Sequence, residues 1–127
     1  MTEINVAETK AEAEQKGKQL PDPKGYRILC MVPNVEETYG DSGIVKPESM
    51  IRVEEHSTIV LFVMKLGPEA YKDATRFPTG PWCKEGDFIL TRAYAGTRLK
   101  IHGREFRIIN GDTVEAIVED PRGITRA

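Results

Sequence analysis

The sequence predicts an all-β domain, a small barrel or sandwich, preceded by a polar arm. Three observations carry this reading. From Gly25 onward, short runs of strand-forming residues alternate with Gly, Pro, Asn and Asp turns. The 127 residues fall within the roughly 100–200 of a single domain, enough for one core. Residues 1–24 hold one isoleucine, one valine, one leucine and no aromatic residue, so they bring little to that core.

The arm comes first. Its middle, "AETKAEAEQKGK", is rich in good helix formers, and Glu12 with Lys16 and Glu14 with Lys18 stand in the favourable i,i+4 order. No wide apolar stripe forms, and Pro21 and Pro23 end the pattern. The expectation for 1–24 is a flexible arm with transient helix. A β-domain over 25–120 and a short tail over 121–127 follow.

Within 25–120, "YRILCMV" (Tyr26 to Val32) alternates and is stopped by Pro33. "SMIRVEE" (Ser49 to Glu55) alternates again. "STIVLFVMKL" (Ser57 to Leu66) is densely apolar and reads as a central strand covered on both sides. Its β-branched Ile59, Val60 and Val63, and the Gly67-Pro68 that follows it, argue against a helix. "DFILTRAY" (Asp87 to Tyr94) is a further strand. "TRLKI" and "REFRII" flank His102-Gly103, a two-residue connection that predicts a tight hairpin. "TVEAIVE" (Thr113 to Glu119) is the last strand, after an Asn110-Gly111-Asp112 turn. Two connections, Pro33 to Glu48 and Gly67 to Gly86, exceed turn length, and long loops on a rigid scaffold are where function concentrates.

Composition excludes several function classes. A net charge of −2 gives no electrostatic case for nucleic acid or an anionic membrane as partner. The longest apolar run, Ile59 to Met64, is too short to span a bilayer. The N-terminus has neither the basic start nor the apolar segment of a secretory signal. Cys30 and Cys83 are therefore expected as free, partly buried thiols in a cytoplasmic protein. Catalytic constellations are thin. His56 and His102 are the only histidines and lie far from the cysteines, so no zinc spacing arises. "GDSG" is not a phosphate-cradling motif, and Glu36-Glu37 and Glu54-Glu55 are adjacent pairs that point to opposite faces of a strand. Phe62, Phe77, Trp82, Phe88, Tyr94 and Phe106 are not interleaved with a basic cluster. The reading is of a protein that is not an enzyme, with no metal and no cofactor.

The order of features resembles the chaperonin-10, or GroES-like, co-chaperonin family. "YRILCMV" followed by "EETYGDSGIV" is similar to the family's first strand and its mobile loop of the form E-T-x-x-G-G-I-V/M-L. The matching residues are Glu37, Thr38, Gly40, Gly43, Ile44 and Val45. "STIVLFVMKLG", "CKEGDFILTRAYAGT" and "IHGREFRIINGDTVEAIVE" resemble later family segments in the correct order, so that the likeness spans about Gly25 to Glu119. The same fold heads the zinc-dependent alcohol dehydrogenases, whose cysteine ligands and nucleotide-binding domain are missing here.

The resemblance implies a small irregular β-barrel, assembled as a homo-oligomer, a heptameric ring, that caps an ATP-bound chaperonin-60 ring. It implies chaperonin contact through Thr38, Gly40, Gly43, Ile44, Val45 and Lys46, where Lys46 stands in place of the family's third apolar residue. It implies subunit pairing of the first strand with a neighbour's last strand, here through Tyr26, Ile28, Val114, Ala116 and Val118. It also implies a roof hairpin, placed at Gly67 to Trp82. The long arm and the tail fit a divergent, bacteriophage-type member. The alternative is a virion protein, a capsid decoration or head–tail component using the barrel as scaffold, with the major capsid protein as partner.

Overall fold

The computed structural model describes residues 2–16, 19–33, 35–37 and 58–127. In chain order these form β1 (Thr2–Ile4), α1 (Val6–Lys16), β2 (Arg27–Met31), β3 (Val35–Glu37), β4 (Val60–Leu66), β5 (Phe88–Leu90), β6 (Thr97–Ile101), β7 (Arg104–Asn110) and β8 (Ala116–Val118), with a 3-10 turn at Gly111–Thr113. Six strands make one antiparallel sheet in the order β6-β7-β2-β4-β5-β8, and β1 pairs with β3 in a separate ladder. The described residues are thus mostly β, with α1 their one α-helix. The strand expected over Ser49 to Glu55 lies outside the described residues.

The alternation of β2 sorts the interior into two layers. Ile28, Cys30 and Val32 face one side, with Leu61, Val63, Ile89, Ile109 and Val114. Leu29 and Met31 face the other, with Val60, Phe62, Phe88 and Phe106. On the second face the register aligns one apolar residue from each strand: Leu99, Phe106, Met31, Phe62, Phe88 and Val118. Phe62 and Phe88 meet edge to face with centroids 5.0 Å apart, a geometry that aromatic pairs prefer. β4 is covered on both faces, as its unbroken apolar run predicts.

A bulge interrupts β2 and β4, where Leu29 pairs with Lys65 but Cys30 pairs with Val63. The extra residue, Met64, reverses the facing of the strand beyond it. Lys65 is thereby delivered to the second face, where its ammonium donates to the Leu20 carbonyl at 3.0 Å and to Asp22 at 2.9 Å. β4 then ends at Gly67, whose N–H donates to the Arg27 carbonyl at 2.8 Å. Only glycine fits there: a Cβ would fall on the Gly25 carbonyl oxygen and 2.8 Å from that of Arg27.

Four expectations need correction. First, β2, the strand expected to pair with a neighbouring subunit, has both of its sides taken by β7 and β4. Second, the arm is not a transient helix. Asn5 caps α1, its Oδ1 accepting from the Glu8 N–H at 2.9 Å, which satisfies one orphan donor of the first turn, while its side-chain Nδ2 donates to the Glu8 carboxylate at 3.2 Å. Ile4, Ala13 and Leu20 are buried against the second face of the sheet. Few apolar residues sufficed because the sheet, not the arm, supplies most of the apolar surface.

Third, Gly67 to Trp82 is not a hairpin and contains no strand. It folds back onto the first face, burying Ala70, Tyr71 and Phe77 beside Cys83. Phe77 stands perpendicular to Tyr71 and Trp82, each with its centroid 5.0 Å away. Its apolar content explains why it does not project into water. Fourth, two strands are shorter than their sequence patterns. The Asp87 to Tyr94 run pairs only over Phe88–Leu90 and turns at Tyr94, where φ is 64°. The Thr113 to Glu119 run starts late because Gly111–Thr113 is a 3-10 turn. The hairpin at His102-Gly103 is present, with both residues at positive φ (50° and 79°), as a two-residue turn between twisted strands requires.

Candidate functional site

Thr38, Gly40, Gly43, Ile44, Val45 and Lys46 lie outside the described residues, as do His56 and Glu54-Glu55. What the structure defines is the frame from which that segment departs and to which it returns. On the departing side, β3 lies antiparallel to β1 in the register Thr2 to Glu37, Glu3 to Glu36 and Ile4 to Val35. Just before it, the Val32 N–H donates to the Glu105 carbonyl at 3.1 Å. On the returning side, Thr58 caps its own strand, its hydroxyl accepting from the Val60 N–H at 3.3 Å. The Thr58 carbonyl in turn accepts from Arg107 Nη1 at 3.4 Å. β7 therefore holds both ends, one through a main-chain carbonyl and the other through a guanidinium.

Arg107 and Glu105, which sequence reasoning missed, frame the two ends of that segment. Both are buried, at 0% and 3% exposure, and they pair at 3.4 Å. Burial pulls the Arg107 guanidinium below its usual value, and the Glu105 charge partly offsets this. A buried charge pair of this kind is more a device for fixing geometry than for gaining stability. The signal was present in "REFRII": alternation places Glu105 and Arg107 on the same face as the inward-pointing Ile109.

The residues expected at subunit contacts divide. Ile28 is fully buried and Val114 nearly so, and neither offers a surface. Tyr26 is exposed and carries Arg27 above its ring, 5.6 Å from the centroid. Ala116 is exposed and Val118 half-buried. Their strand pairs with β5 on one side, and its other side has no partner among the described residues. Ile117, not among the expected contacts, is 52% exposed on that edge strand. An exposed large apolar residue on an open edge is what a protein otherwise avoids.

A third cluster is structural. The Tyr71 hydroxyl donates to the Gly111 carbonyl at 2.9 Å and lies 3.4 Å from Cys83 Sγ. Cys30 and Cys83 are free and buried. Burial pushes both thiols and the Tyr71 phenol up from their ordinary values. Thiols held protonated are poor nucleophiles. Among the described residues no group of three or more His, Cys, Asp or Glu is placed to hold a metal. No described helix is long and apolar enough to cross a membrane.

No protein-family model matches the chain. Individual relatives do, among them several named Co-chaperonin GroES. That of Caldicellulosiruptor saccharolyticus is 39% identical over 98 residues, covering 77% of this chain and 96% of its own length. That of Clostridium perfringens is 35% identical over 97 residues, with 76% and 96% covered. That of Corynebacterium diphtheriae is 32% identical over 97 residues, with 76% and 92% covered. Nearly the whole of each relative is thus spanned by a chain whose all-β sheet suits the same fold, and the chain belongs to the GroES, or chaperonin-10, co-chaperonin family.

Proposed function

We propose that this protein is a cytoplasmic co-chaperonin that caps an ATP-bound chaperonin-60 ring to assist protein folding. The relatives' shared name carries the reading, and the pattern from Glu37 to Val45 supplies its contact. Ile44 and Val45 enter apolar grooves on the chaperonin, with Thr38, Gly40 and Gly43 shaping the approach and Lys46 at the rim. Burying two such side chains contributes roughly 3–6 kcal/mol, while each ordered residue costs about 1–2 kcal/mol. A single loop is therefore weak, and binding requires a multivalent ring.

The ring, a heptamer on this reading, closes through the open edge of β8, using Ala116, Ile117 and Val118 and the exposed Tyr26. Heterologous contacts of one kind generate closed rings, which would cover that edge. Nothing in the relatives reported favours the virion reading with its capsid-protein partner.

The test is binding to chaperonin-60 with and without ATP, together with its ATP turnover. Nucleotide-dependent binding and slowed turnover are expected, and Ile44→Ser abolishes both. Absence of nucleotide-dependent binding, with copurification on assembled particles instead, sinks the proposal.

A further inference from the structure

The arm makes two kinds of contact that packing alone does not demand. Its strand β1 pairs with β3, the last described stretch before the segment read as chaperonin-binding. Its helix is tied to the sheet independently, by Arg104 Nε donating to Glu12 at 2.7 Å and by Ala13 against the second face. Ile4 links the two, belonging to β1 and being buried in the same apolar layer as Met31 and Phe106. The chain at Val35–Glu37 is thus held by an element fixed to the large sheet some distance away in sequence.

We propose that the arm is a positioning element for the chaperonin-binding loop, with Ile4 its positioning residue. By pairing with Val35–Glu37, β1 orders the loop's departing root before any partner arrives. Fewer residues then have to be ordered on docking, and the direction of the chain at Val35–Glu37 is set by its pairing with β1. Pre-ordering of this kind strengthens binding without adding a contact to the partner. Several subunits docking together multiply the effect.

This inference rests on the co-chaperonin reading. The experiment compares the full chain with Ile4→Ser, which withdraws the apolar hold on β1, and with the conservative Ile4→Val. Ala13→Asp, which loosens the helix instead, serves as a second variant. Amide exchange at Val35–Glu37, ATP-dependent affinity for chaperonin-60 and fluorescence of Trp82 are read for each. Trp82 lies in the aromatic cluster of the opposite layer, against Tyr71 and Phe77, so its signal reports folding apart from the arm.

Expected for Ile4→Ser and Ala13→Asp are faster exchange at Val35–Glu37, unchanged Trp82 emission and an affinity reduced roughly tenfold or more. Ile4→Val restores both. Unchanged exchange, or faster exchange with unchanged or tighter binding, overturns the positioning role while leaving the co-chaperonin reading intact. If the unaltered protein itself shows no ATP-dependent binding, the co-chaperonin reading fails and the positioning role falls with it.

Discussion

Glu12 and Arg104 are ninety-two positions apart in sequence, yet Glu12 Oε2 and Arg104 Nε lie 2.7 Å from one another. Both side chains are largely buried, at 18% and 13% exposure. Arg104 Nη2 is buried with no hydrogen-bond partner among the described residues. The guanidinium therefore depends heavily on Glu12. Glu12→Ala is expected to destabilise the protein by about 1–2 kcal/mol, below the full cost of breaking a buried pair because water still reaches both groups. Thermal unfolding measures this, and a loss under a few tenths of a kcal/mol would refute it.

Tyr71 has φ of 61° and is buried all the same. Its hydroxyl satisfies the Gly111 carbonyl at the turn leading to β8. Tyr71→Phe keeps the ring contacts with Phe77 and removes the hydroxyl, with its bond to the Gly111 carbonyl and its contact with Cys83 Sγ. A loss of about 1–3 kcal/mol is expected, the penalty for a buried acceptor left unpaired. Denaturant unfolding of the two proteins tests it, with equal midpoints as the contrary result.

Stability should fall at alkaline pH. The Cys30 thiol, ordinarily titrating at 9.0, is pushed up by burial. In the unfolded chain it ionises above that value, while in the fold it stays protonated. The folded state then holds more protons, so rising pH favours unfolding. The contribution of Cys30 is fully present below pH 9.0 and is lost above it, at up to about 1.4 kcal/mol per pH unit. Cys83 and Tyr71 shift in the same direction. Melting temperatures should decline above that pH and decline less steeply in Cys30→Ala; parallel curves would exclude the thiol as the cause.

Ile117, on the open edge of the sheet, separates assembly from folding. Ile117→Lys places a charge where a neighbouring subunit is proposed to sit, and edge lysines block strand pairing. Native mass measurement should show the assembly reduced to smaller species with a circular dichroism spectrum unchanged. An intact ring would place the subunit contact elsewhere.

The sheet was legible where side-chain period alone decides it. The alternation of Tyr26 to Val32, the apolar run to Leu66 and the turn at His102-Gly103 each carried a local physical cause. The topology was less so. Nothing in the pattern of "YRILCMV" says that both of its edges are paired, since an interior strand and a strand at a subunit boundary look alike when both faces are apolar. The arm was misread because Ile4, Ala13 and Leu20 are buried by a surface encoded elsewhere, at Leu29, Met31, Phe62 and Phe106. Of the candidate site, the order of motifs pointed to the family, and the Glu105–Arg107 frame required knowing which strand ends lie beside β7.

The second face of the sheet draws its cover from both sides of the strand order. Ile4 and Leu20 precede every strand of the large sheet, and Ile124, packed against the same layer, follows the last. During synthesis on the ribosome these arrive at opposite times. Leu29 and Met31 emerge with the arm already available to shield them, whereas Ile124 comes only after Phe62, Phe88 and Phe106 have been made. One part of the cover for this face is thus made before the strands it covers, and another part only after them.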